Sequence, residues 1–147
     1  GYYTEYTVTK ETISSTTVDG KAMKAQTFSF DTVPAGTYKL AIFKPDKYVP
    51  KIVPITVDST DYTCGQLKLW LYGDVNYDGA VTIADYTQVL RYAGGKTSVF
   101  DAGNDVTKAD RFVAANVIEN GTGVDIGDYT QILRRVGGKT SIFDTFK

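Results

Sequence analysis

Histidine is absent from the 147 residues, and the chain holds one cysteine, one methionine and one tryptophan. The lack of histidine removes the commonest general base and the commonest zinc ligand. The lone Cys64 excludes an intrachain disulfide and, in its strand-like run, reads as a small core residue. No sign of charge dominates: 16 Lys plus Arg face 17 Asp plus Glu, for a net charge of −1. There is no basic field to draw nucleic acid or anionic lipid. No apolar run is long enough to span a bilayer, and no signal peptide is visible. The start at Gly1-Tyr2-Tyr3 reads as a piece of something larger. No nucleophile motif or phosphate loop accompanies the acidic residues, so catalysis ranks last among the functions and the chain is read as a non-enzyme.

What is present is a copied segment. Residues 83–101 read IADYTQVLRYAGGKTSVFD and residues 126–144 read IGDYTQILRRVGGKTSIFD, at a constant offset of 43. The texture of the chain changes just before the first copy. Up to Tyr72 it reads as β-structure, with strands over Ala25–Phe30, Thr37–Lys44, Ile52–Val57 and 67–72, and a further one over Tyr2–Thr9. Pro54 suits an edge strand. From Gly73 onward the apolar period is helical, with helices over Asp85–Ala93, Thr107–Val117 and Asp128–Val136, the first and third stopped by paired glycines. The expectation is two modules: an all-β sandwich over residues 1–72, followed by an all-α module of duplicated EF-hand-like loop-helix segments over 73–147.

The loop preceding the first copy carries the strongest chemical signal. Asp74, Asn76 and Asp78 alternate, Gly79 allows a sharp turn, and Asp85 stands at the twelfth position. A hard cation takes six to eight oxygens, and a twelve-residue loop supplies most of them. Ala80 would offer its carbonyl, Thr82 would act through a water, and Val81 and Ile83 would flank the turn. The competing reading is an Asp/Asn/Gly surface turn. The second loop is weaker. Aligned back from Asp128 with one extra residue, its candidate ligands are Asn116, Asn120, Thr122, Asp125 and Asp128. Ile118 falls where an oxygen is expected, and Glu119 or a water takes that place. The alternative is a loop held by packing alone.

DVNYDGAVTIADYTQVLRYAGG resembles the calcium loop and helix of dockerins, the plug modules of cellulosomes, and IENGTGVDIGDYTQILRRVGG resembles the second dockerin segment. Each loop closes on Asp rather than the Glu usual in helix-loop-helix sensors. The resemblance implies Ca2+ as cofactor and an extracellular, cell-surface setting. It also implies a partner, the cohesin module of a scaffold or surface protein. Carried over, the docking face would hold Ile83, Ala84, Thr87, Leu90 and Arg91, duplicated as Ile126, Gly127, Thr130, Leu133 and Arg134, and would dock in either of two orientations. The plain alternative puts Leu90 and Leu133 in the core, in competition with Val89 and Ile132. FDTVPAGTYKLAIFKPDKYVPKIVPITV is similar to prealbumin-like or carboxypeptidase-regulatory-like domains, which implies a prealbumin-like or Ig-like sandwich of the kind that precedes dockerins as an X module and braces them. Trp70 and Tyr72 are candidates for packing at the junction, and Phe143 and Phe146 for a clasp back onto the first loop.

Two other functions stay open. A calcium-responsive switch would need a Met-rich groove, yet Met23 is the only methionine and lies outside the repeat. Carbohydrate binding would use Tyr2, Tyr3, Tyr6, Tyr48 and Tyr62, drawn from eleven tyrosines.

Overall fold

The computed structural model of the chain describes residues 4, 13–18, 20–44, 47–119 and 123–146. Four strands are present among them: β1 (Ile13–Val18), β2 (Lys21–Gln26), β3 (Gly36–Ile42) and β4 (Lys51–Val57). Three helices follow: α1 (Ile83–Ala93), α2 (Asp105–Ala115) and α3 (Ile126–Val136), with short 3-10 turns at Val99–Asp101 and Ile142–Thr145.

The expected sandwich is not what forms. The described strands make two separate two-stranded sheets, β1 with β2 and β3 with β4, and the chain is mixed α/β rather than an all-β sandwich followed by an all-α module. Two physical reasons account for this. Between Val57 and Leu71 no described residue joins a strand, and the Leu67/Leu69/Leu71 alternation yields a single bridge, Tyr48 to Leu71. The helical residues also fold together with a β-region segment. The chain divides into residues 1–40 with 52–67, and residues 41–51 with 68–147.

In the first unit, β1 and β2 run antiparallel from Ile13↔Gln26 to Val18↔Lys21, with Gly20 at φ 79° in the connecting turn. Phe28 and Phe30 meet edge to face at 6.1 Å. Residues 2–9, expected as a strand, lie outside the described residues. Strands β3 and β4 each alternate half-buried with exposed positions. Tyr38, Leu40 and Ile42 therefore share the half-buried face of β3, and Pro54 falls on the exposed set of a two-stranded sheet, where its missing N–H costs little.

The second unit is built around Val75, Val89, Phe100, Ala115, Val117, Ile132 and Phe143. Full burial of side chains of this size contributes roughly 1.5–3 kcal/mol each. Helices α1 and α3 pack through this core, with Tyr86 and Tyr129 edge to face at 5.8 Å. Residues 47–49 lie along residues 70–72: the Val49 N–H donates to the Trp70 carbonyl at 2.8 Å and the Tyr72 N–H to the Lys47 carbonyl at 2.6 Å. Lys51 pairs with Asp110 of α2 at 3.2 Å. The C-terminal aromatics fold onto the start of the first loop. Phe146 lies 4.8 Å from Tyr72 and 5.3 Å from Phe143. Gly73, at φ 86°, leaves the space Phe143 needs, since a Cβ there would sit 2.8 Å from the ring.

Candidate metal centre

Residues 74–85 wrap around the amino end of α1. Thr82 caps the helix by accepting from the Ala84 N–H at 3.2 Å, and Asp85 returns the favour by accepting from the Thr82 N–H at 2.8 Å. This reciprocal cap draws Asp85 inward, where its other oxygen accepts from the N–H groups of Val75 (2.8 Å) and Asn76 (3.2 Å). Asp74 accepts from the N–H groups of Asp78 (3.1 Å) and Gly79 (2.8 Å), which closes the turn. The carboxylates thus help to shape the loop through its own backbone N–H groups.

One oxygen from each of Asp74, Asp78 and Asp85 lies within 4.8 Å of the others. Asp74 is 1% exposed and Asp85 is fully buried, while Asp78 is open to solvent. At an effective dielectric of about 20, two carboxylates at 4.8 Å repel by roughly 3.5 kcal/mol. Burial, opposed by the Gly79 N–H and reinforced by the Asp85 charge, pushes the Asp74 carboxyl up to about 6. Burial likewise raises Asp85. A cation placed between the three groups would relieve both costs. The donor set is all oxygen with no soft ligand, which fits a hard metal ion.

The other candidates of the first loop take mixed positions. The Asn76 oxygen accepts from the Asp78 N–H at 3.0 Å, and its amide nitrogen donates to Asp78 at 2.9 Å. Ala80 is exposed, with its N–H on Asp78 at 3.1 Å. Thr82 is engaged in the helix cap.

In the second loop Asp128 is fully buried and repeats the role of Asp85. It accepts from the N–H groups of Ile118 (3.1 Å) and Asp125 (2.9 Å), and burial raises its pKa. Asp125 caps α3 by accepting from the Gly127 N–H at 2.7 Å. Asn116 ends α2, and its side-chain oxygen accepts from the Glu119 N–H at 3.2 Å. Among the described residues, Asp125 and Asp128 are not gathered with a third acid into a cluster; the one such cluster is that of the first loop. Asn120 and Thr122 lie outside the described residues.

Comparison with protein-family models, with curated proteins and with solved structures found no match for this chain. The chemistry of its surface therefore has to be read from its own geometry.

That geometry repeats closely between the two helices. Thr87 donates to the Ile83 carbonyl at 2.8 Å, and Thr130 to the Ile126 carbonyl at 2.7 Å. The Arg91 and Arg134 Nε groups each donate at 2.6 Å, to the carbonyls of Thr97 and Thr140. Gln88 and Gln131 each accept from the N–H that starts the following 3-10 turn, at 2.9 and 2.8 Å. Val89 and Ile132 take the inward stripe at 0% exposure, which leaves Leu90 and Leu133 outside at 41% and 40%. Ile83 and Ile126 are 56% and 66% exposed. Ala84, Thr87, Thr130 and both arginines are exposed, and Gly127 is half-buried. Between the end of α1 and the start of α3 lies a cleft of ≈ 380 Å³ lined by Leu90, Ala93, Val124, Ile126 and Tyr129 among others.

Two residues support the site: Arg111, which was not singled out in the sequence, and Trp70, which was expected to pack at the junction. Arg111 is 8% exposed; its Nε donates to the Val75 carbonyl at 2.8 Å and its Nη1 to the carbonyls of Val99 and Ala102. Trp70 lies under the first loop, its ring 4.5 Å from that of Tyr77. Tyr77 sits between Asn76 and Asp78 at φ 58°. A lone Arg in a helical run carries no signal of such a role, but a lone Trp beside an acidic loop does suggest a packing floor. Of the five tyrosines considered for sugar stacking, Tyr2, Tyr3 and Tyr6 lie outside the described residues. The Tyr48 ring is covered by the Lys44 ammonium at 4.2 Å.

Proposed function

We propose that this chain is a calcium-binding docking module of the dockerin type, whose partner is a cohesin module on an extracellular scaffold or cell-surface protein. Ca2+ is the ion this reading places among Asp74, Asp78 and Asp85, because the loop supplies hard oxygens at EF-hand spacing. The observation that carries the docking role is the duplicated outward face. Two helices with matching caps, matching Thr, Gln and Arg contacts and matching exposed Ile and Leu pairs are kept where core packing does not require them. Exposed aliphatics flanked by pinned arginines suit a partner surface with an apolar centre and acidic surroundings. The acidic residues organise the loop, so the module works by binding rather than by catalysis.

The test is isothermal titration of the full chain against a panel of cohesins, in calcium and in chelator. Binding in calcium that disappears in chelator is the expected result. Binding of equal strength in both would overturn the metal's role, and no binding to any cohesin would overturn the partner.

A further inference from the structure

We infer that one ion serves this duplicated unit, and that the second loop is closed by an apolar plug in place of a metal. The structure pairs Val117 with Val75 as buried core residues, and Glu119 with Tyr77 as the residue at positive φ (53° and 58°). Ile118 then stands where Asn76 stands in the first loop. Its side chain turns over the start of α3 instead of leaving a seat for an oxygen ligand. A Cβ on Gly127 would lie 2.8 Å from Ile118 Cδ1. Gly127 replaces the Ala84 of the first copy, so the plug and the room for it occur together in the second copy. The same loop replaces the first-position carboxylate of Asp74 with the neutral Asn116. Glu119 is held elsewhere, with its carboxylate accepting from the Tyr72 hydroxyl at 3.0 Å.

The consequence is an uneven dependence on metal. Chelation loosens the first loop and the first turn of α1, including Ile83 and Ala84. The start of α3, with Ile126 and Gly127, keeps its shape. Calcium thus gates one of two similar faces and leaves the other standing. The use of those faces for docking rests on the function proposed above; the uneven response to metal does not.

The test is made on the full chain without any partner. Terbium or calcium titration is expected to give one ion per chain, and Asp85→Asn to abolish it, whereas Asp128→Asn leaves the count at one. In wild-type protein, chelator should speed amide exchange at Asn76, Asp78 and Gly79 by about tenfold or more, with little change at Ile118 and Asp125. Ile118→Asn should create a second, weaker site. Two ions per wild-type chain, or equal acceleration of exchange in both loops, would overturn the inference whether or not a cohesin binds.

Discussion

Asp74 is where the chemistry of the first loop is most exposed to test. Its folded pKa of about 6 lies above the ordinary carboxylate value near 3.8. The ion-free folded state therefore holds this proton more tightly than the unfolded chain does. As pH rises from about 4 to about 6.5, Asp74 ionises in a buried site and stability falls, by roughly 3 kcal/mol at this residue. Denaturant unfolding in chelator is expected to show this downward slope with rising pH, and Asp74→Asn to make it shallower, with the raised Asp85 and Asp128 keeping a residual slope. With calcium present the ionised form is the one bound, so ion affinity should weaken as pH falls through about 6. Arg111 is the second residue of consequence. Its guanidinium is buried on three backbone carbonyls, and among the described residues no carboxylate pairs with it. Arg111→Met keeps the volume but leaves those carbonyls without donors, at a cost of about 2–4 kcal/mol. A fall of that size in urea unfolding is expected, with calcium affinity reduced because Val75 begins the loop's inner wall. A change below 0.5 kcal/mol would show the carbonyls finding water instead.

At the scale of elements, the three helices were legible because their signals agreed: a 3.6-residue apolar period, acidic or threonine caps and Gly-Gly stops. Each observed start comes two residues before the one expected, since the caps at Thr82, Asn104 and Asp125 begin the helices earlier. Strand β3 was legible from alternation and β4 from its β-branched run, whereas β1 was not. Its sequence, ISSTTV, is polar and β-branched and carries no apolar alternation to mark a strand. Strand β2 was expected four residues too late, because Phe28 and Phe30 alternate convincingly in a segment that follows the strand rather than belonging to it. The candidate site was legible in its carboxylates but not in its floor, which comes from long-range packing. That floor offers a reporter. Trp70 is the sole tryptophan and packs at a tilt against Tyr77 of the loop, so its emission is expected to shift on calcium titration and to saturate with the ion. Tyr77→Ala should remove most of the spectral change while leaving the ion bound. An emission spectrum indifferent to calcium would mean that loop and floor move independently.

For the whole molecule, the lesson concerns where a boundary is drawn. The change of texture at Gly73 is a genuine change of local period, yet residues 41–51 fold with residues 68–147. Strand pairing at Tyr48 and Leu71 and the Lys51–Asp110 ion pair are contacts between distant positions, to which local periodicity is blind. The duplication, by contrast, was fully visible and leads to the most demanding quantitative expectation. If the α1 and α3 faces offer a cohesin two equivalent orientations in calcium, removing one orientation halves the number of binding modes. That costs RT ln 2, about 0.4 kcal/mol, far less than a buried anchor is worth. Leu90→Ala or Leu133→Ala alone should then weaken binding about twofold. The double variant, with both faces truncated, should lose about 2–4 kcal/mol, or 30-fold and more. Both leucines are about two-fifths exposed, so thermal unfolding should move little and serves as the control for folding. A large loss from only one of the single variants would show that one orientation dominates, and would identify the helix that makes the contact.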